Sequence, residues 1–265
     1  MTASSNDGSI FRPSGYAPAH LKKSDRLAEE VKRWIVDQGL KPGDRLPTEQ
    51  DMAPWFGCGK GTVREALKSL EVQGLIVMRT GPKGGPILRE SSYARAAEQL
   101  RTYLNFQHLE INDIYNMRVI VEPEMAVTVV DVVDDELLEA LSESASECRH
   151  SAVSGGKVVR RRELEFHVIL AQRCPNPLLS FQSLFIGDLL RGFIHFENST
   201  SEGFHQFTDD NCDFHNQLIA AYTEKNHENV RHVMHEHMES SKNHTLMLCG
   251  KIAGSLLLPL YDNSL

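Results

Sequence analysis

Four side chains in the C-terminal half have the types and spacing of a metal centre: Glu163, His167, His215 and His237. Glu163 and His167 are four residues apart, which puts them on one face of a helix. His215 and His237 fall on two later helical stretches. One carboxylate and three imidazoles from three helices can meet inside a bundle and hold a divalent cation, and that donor set suits Zn, Ni, Fe or Mn. The other histidines read as ordinary polar residues; His232 and His235 fall on different faces of their helix from His237. An open metal site can also activate water, so a metal-dependent enzyme is the alternative reading of these four residues. No separate general base or nucleophile arrangement accompanies them.

Long amphipathic helices must position this cluster. The periodicity predicts them near 93–106, 111–131, 134–152, 157–173, 176–197, 204–224 and 226–255. Asp134 and Asn226 are candidate caps, and Pro123 predicts a kink or break in the second helix. No strand alternation and no internal repeat interrupts this half, which reads as an all-α bundle.

The N-terminal half has a different grammar. Leu27, Val31 and Ile35 mark an opening helix over 24–39. The stretch Pro42–Gly81 then reads PGDRLPTEQDMAPWFGCGKGTVREALKSLEVQGLIVMRTG. Thr48 caps a short helix, with Asp51 in the capping-box position. Pro54 lies inside that helix, and Gly57, Cys58 and Gly59 make a turn. A second helix runs from about Lys60 to Gln73, with Val63, Ala66, Leu67, Leu70 and Val72 as its apolar stripe, and Gly74 stops it. Leu75 to Met78 read as a strand, Thr80 to Gly85 as a hairpin tip, and 86–92 as a linker. Helix, turn, helix and β-wing is a DNA-reading layout, in which the start of the second helix lies nearest the bases. Lys60, Thr62 and Arg64 cluster there and can meet phosphates or guanine edges. GCGKGT at 57–62 is not a phosphate-cradling loop, because Pro54 stands where its first Gly belongs and Gly61 where its Ser or Thr belongs.

Composition sets the remaining bounds. With 265 residues the chain is long enough for two domains. The net charge of −8 is unevenly spread: residues 24–90 carry eleven Lys/Arg against ten Asp/Glu, whereas residues 91–265 carry fourteen against twenty-five. A nearly neutral N-terminal half with cations focused on one helix still suits phosphate binding. No apolar run is of membrane-spanning length, and residues 1–23 read as a flexible arm without a signal-peptide pattern. Five scattered Cys without CxxC spacing fit reduced thiols in the cytoplasm.

PGDRLPTEQDMA followed by GxGKGTVREALKSLEVQGLI resembles the winged-helix domain of the GntR family of bacterial transcription regulators, over residues 24–90. The resemblance implies base or phosphate contacts from Gln50, Lys60, Thr62 and Arg64, and wing contacts near Thr80 and Gly81. Gln50 and Lys60 stand where the family usually has Arg, which alters the operator to be read. ExxFH at 163–167, NPLL at 176–179, DFHNQLIAAYTEKN at 213–226, HxxHMESS at 232–240 and NMRVIVEPEMA at 116–126 resemble the FCD ligand-binding domain of the FadR-like branch. The resemblance covers roughly 95–252, within an expected domain of 93–255. It implies a metal at Glu163, His167, His215 and His237, with Glu163 replacing the usual Asp. The family's effectors are mostly small organic acids. Arg118 by position pairs with an effector carboxylate, or else with Glu122 one helical turn on. The whole chain is then expected to be mainly α: a winged helix-turn-helix domain plus an all-α domain. It is expected to act as a homodimer on a double-stranded DNA operator, as a repressor controlled by a small carboxylate.

Overall fold

The computed structural model describes residues 22–81, 84–90, 92–151, 156–193 and 202–248, with the side chains of 148–151, 156–161 and 193 left out. The expected arm lies outside the described residues up to residue 21, as do 152, 194–197 and 249–255 of the expected helices. Two compact units divide after Arg95.

The first unit contains α1 (Lys23–Asp37), α2 (Glu49–Trp55), α3 (Lys60–Val72), β1 (Ile76–Arg79) and β2 (Gly85–Leu88). Its core joins the apolar faces of all five. Leu27, Val31 and Ile35 come from α1, Met52 from α2, Val63, Leu67 and Leu70 from α3, and Ile76 and Leu88 from the strands. Thr48 caps α2 with a full capping box, its side chain accepting from Asp51 N while the Asp51 side chain accepts from Thr48 N. Pro54 sits in the last turn of α2, where the helix is ending anyway. Gly57 turns the chain at φ +58°, a conformation that favours glycine. At the end of α3, Gly74 takes φ +80° and donates to Glu71 O at 2.9 Å, while Leu75 N donates to Leu70 O at 3.0 Å. These two bonds satisfy orphan carbonyls of the last turn and aim the chain into β1.

Two expectations fail here for identifiable reasons. Residues 86–88, expected as linker, form β2 together with Gly85, expected in the hairpin tip; β2 is antiparallel to β1 with Ile76 opposite Leu88 and Arg79 opposite Gly85. The run is short and opens with Gly-Pro, so its β pattern is weak until β1 supplies a partner. Val72 is 74% exposed rather than part of the stripe. It lies two residues beyond Leu70, which rotates it off the buried face.

The second unit holds the C-terminal part of α4 (Tyr93–Leu104), then α5 (Ile111–Val129), a 3₁₀ turn (Val130–Val132), α6 (Asp135–Ser151), α7 (Gly156–Arg173), α8 (Pro177–Phe193), α9 (Glu202–Thr223) and α10 (His227–Leu248). The expected caps form: Asp134 Oδ1 accepts from Leu137 N at 2.9 Å and Asn226 Oδ1 from Asn229 N at 3.1 Å. α5 is not broken at Pro123 and runs as one helix from Ile111 to Val129, with Pro123 buried. α5 packs against α10 and α8, α9 against α10 and α6, and α7 against α6 and α8. Met125, Leu141, Phe166, Leu170, Leu218, Tyr222, Met234 and Met238 fill the core between them. Among the described residues no helix is long and apolar enough to cross a membrane.

Candidate functional site

On the first unit, the expected DNA-contacting residues face solvent. Gln50 on α2, Lys60 and Arg64 on α3, and Thr80 and Gly81 at the hairpin tip are exposed, whereas Thr62 is half-buried. Gly59 caps α3 without a side-chain bond, so α3 starts in a backbone rather than a side-chain cap. Gly81 takes φ +104°, which the tight tip requires. Arg64 is engaged within the unit: its Nε lies 3.2 Å from both Glu49 carboxylate oxygens and its Nη2 donates to Oε2 at 2.9 Å. This fork, with the carboxylate's charge behind it, holds the guanidinium more strongly protonated than usual. The pair links the first turns of α2 and α3.

Inside the second unit, α7, α9 and α10 each deliver one imidazole to a common point. His237 Nε2 lies 3.2 Å from His167 Nε2 and 3.2 Å from His215 Nε2. The ligand atoms of the three residues fall within 4.8 Å of one another, and all three residues are buried. Aromatic rings set the planes: Phe166 stacks on His215 with centroids 4.0 Å apart and Phe214 on His237 at 5.2 Å. Burial pushes His215 and His237 well below the ordinary histidine range, and neighbouring imidazole charge and Arg118 push the same way. Both rings are therefore neutral donors at pH 7.

The fourth expected ligand, Glu163, lies at the edge of this group. Its Oε1 is 3.6 Å from His167 Nε2 but accepts from Arg118 Nη2 at 3.0 Å. Arg118 also faces Glu122, Nε to Oε1 at 3.9 Å. Arg118 thus makes the expected salt bridge within the bundle, but chiefly to Glu163 and only distantly to Glu122, because α5 presents it to α7 as well as to its own next turn. Burial disfavours its charge, yet Glu163, Tyr115 and Glu122 outweigh burial and hold the guanidinium protonated. Glu122 is the residue that spacing alone did not single out for the centre. Its Oε2 contacts His167 Nδ1 at 3.2 Å and its Oε1 accepts from Ser183 Oγ at 2.9 Å. Burial raises its pKa, but His167, Arg118 and Ser183 more than reverse this and keep it ionised. A carboxylate at Nδ1 fixes the His167 tautomer and turns the Nε2 lone pair toward the other imidazoles, the usual support of a metal-binding histidine. The signal was present as Glu122 four residues after Arg118, but its partner lies 45 residues away on α7.

These residues fit a divalent cation. Two imidazole nitrogens sharing one tetrahedral ion stand about 3.3 Å apart, close to the 3.2 Å found at both His237 contacts. Without a shared cation, three mutually close ring nitrogens cannot all find a donor, since a neutral imidazole carries one N–H.

Comparison with known proteins matches both halves. Residues 23–82 match the family described as bacterial regulatory proteins, gntR family, and residues 113–240 match the FCD domain. The HTH-type transcriptional repressor NanR of Enterobacter sp. (strain 638) is 29% identical over 167 residues, 60% of this chain and 62% of that protein. The HTH-type transcriptional regulator LutR of Bacillus subtilis (strain 168) is 27% identical over 156 residues, 59% of this chain and 70% of that protein. The match thus spans less than two thirds of the NanR length. Among solved structures, Streptococcus agalactiae GntR has the same fold, with a TM-score of 0.55 at 21% identity over 83% of this chain and 99% of that one. With both matched in this order, the chain carries a DNA-binding domain of the gntR family of bacterial regulatory proteins followed by an FCD domain.

Proposed function

We propose that the chain is a cytoplasmic transcription regulator, a repressor that leaves its operator when a small carboxylate binds beside a metal in the helical domain. It acts as a homodimer, because two copies of α3 meeting two half-sites require two-fold symmetry. Gln50, Lys60, Thr62, Arg64, Thr80 and Gly81 form the DNA-facing set. His167, His215 and His237, with Glu163 beside them, hold a divalent cation, and Arg118 anchors the effector. When bound, the cation supplies a Lewis-acidic point for an anionic ligand.

The convergence of three Nε2 atoms beside the Arg118 guanidinium carries this reading. Charge supports the effector class. The formal charges of Arg118, Glu122 and Glu163 sum to one negative; a dication reverses the sign, and a single carboxylate then neutralises that sum. The effector acts only through a difference in affinity between the DNA-competent and released states.

The test is metal content and ligand stabilisation of the purified protein. The expected result is about one divalent ion per subunit, lost on chelation and in His215→Ala. A panel of small carboxylic and sugar acids should contain one that raises the melting temperature in the metal-loaded protein and weakens DNA binding. Absence of metal, with the acid response intact in His215→Ala, would remove the metal from this reading.

A further inference from the structure

The Glu163 carboxylate lies between the Arg118 guanidinium and the three imidazoles. Its Oε1 accepts from Arg118 Nη2 at 3.0 Å and lies 3.6 Å from His167 Nε2. The nitrogens that group within 4.8 Å include no carboxylate. Arg118 is buried, and its Nε and Nη1 have no hydrogen-bond partner among the described residues. Both two-pronged edges of a guanidinium include Nη2 (one with Nε, one with Nη1), so an anion binding Arg118 bidentately takes an N–H of the nitrogen that also donates to Glu163 and stands close to that carboxylate. Two anions on one buried cation repel strongly in a low dielectric. The one with a second cationic position in reach gives way, and Glu163 has that position beside His167.

We propose that Glu163 is a gated metal ligand: Arg118 holds its carboxylate off the three-imidazole centre, and an anion that occupies the guanidinium releases it to the metal. The inference rests on the reading of the three histidines as a metal centre and of Arg118 as the anion anchor. Effector and metal are then coupled through one side chain. Each tightens the other by the same factor, because coupling between two binding equilibria is reciprocal. The acid would register as a change in the centre itself, not only as an added ligand.

The decisive experiment is cobalt(II) titration of the full-length, metal-free protein, with acetate as the anion. Chelator competition reads the affinity, and the visible absorption of bound cobalt reads the donor set. In wild type, acetate should tighten cobalt binding about tenfold, within the usual span of such couplings, and change the absorption. Glu163→Gln should show neither response: its cobalt affinity and absorption should be the same with and without acetate. Arg118→Gln should bind cobalt tightly without acetate and ignore it, because nothing restrains Glu163. Circular dichroism checks folding throughout, and if Arg118→Gln does not fold, Glu163→Gln decides alone.

A difference in the acetate-free cobalt absorption between Glu163→Gln and wild type would overturn the proposal by making Glu163 a permanent ligand. An undiminished acetate response in that variant would also overturn it, by placing acetate directly on the metal. If wild type ignores acetate but Arg118→Gln still gains affinity through Glu163, the restraint stands and the anion-anchor reading alone fails. Unaltered cobalt binding in His215→Ala would remove the centre and the proposal together.

Discussion

Two of the chain's arginine–glutamate pairs meet at nearly the same distance in opposite surroundings. Arg64 and Glu49 meet at 2.9 Å with side chains 69% and 23% exposed. Arg118 and Glu163 meet at 3.0 Å with side chains 1% and 0% exposed. At the surface, water screens the attraction and solvates either partner when they part, so the first pair contributes little to stability and exchanges its carboxylate readily for a phosphate. In the bundle, neither charge has water to return to. The second pair opens only when another charge takes the place of one partner. The distance alone therefore says nothing about worth. The first unit leaves its cation free to change partners, and the second keeps its cation buried with the carboxylate it faces.

The largest effect should come from breaking the buried pair on one side. Arg118→Met leaves Glu163 and Glu122 in the core without their cation and should lower the unfolding free energy of the metal-free protein by about 3–5 kcal/mol in urea titrations. Arg118→Met combined with Glu163→Met removes the stranded charge with its partner and should recover more than half of that loss. A double variant as unstable as the single would show that the arginine's packing, not its charge, stabilises the bundle. A smaller effect is expected at Tyr222, whose hydroxyl donates to Ala126 O at 2.9 Å. Burial raises its pKa well above the usual value, with Glu122 and Cys174 adding to the effect, so it stays a neutral donor. Tyr222→Phe leaves that carbonyl unsatisfied and should cost about 1–2 kcal/mol in the same titration. In the reading unit, Thr48→Ala removes the capping box of α2 and should cost about 1 kcal/mol. The loss should appear in the transition of that unit.

How much of this was legible before any coordinates follows the same division between local and distant effects. The helix phases were legible, because Leu27, Val31 and Ile35, or Val63, Leu67 and Leu70, declare their buried face through spacing alone. Caps were legible for the same reason: Thr48, Asp134 and Asn226 act within three residues of themselves. β2 was not, since a four-residue strand becomes a strand only by pairing with β1. Nor was the uninterrupted α5, because the packing that carries a helix through Pro123 comes from other helices. At the site, the donor types and the Glu163–His167 spacing were visible. The grip of Arg118 on Glu163 and of Glu122 on His167 was not, since each joins α5 to α7 across 45 residues.

The smallest expected change in stability is also the sharpest test of the comparison. Arg64→Ala removes the exposed guanidinium and leaves Glu49, itself in reach of solvent, to rehydrate. Because water replaces the lost partner, the melting curve should be unchanged. DNA binding should not be. If Arg64 trades Glu49 for a phosphate, the variant binds duplex DNA more weakly, and the slope of log affinity against log salt falls by about 1. Any duplex can serve, because the phosphate contribution is independent of sequence. Glu49→Gln supplies the converse: it removes the competing carboxylate, so affinity for the same duplex should rise while stability again holds. A large loss of stability in Arg64→Ala would mean that the surface pair ties α2 to α3 structurally, and the contrast with Arg118 would disappear. Unchanged stability with an unchanged salt slope would leave Arg64 a solvated cation that never reaches the DNA, and the phosphate contacts would then have to come from Lys60 and the hairpin tip.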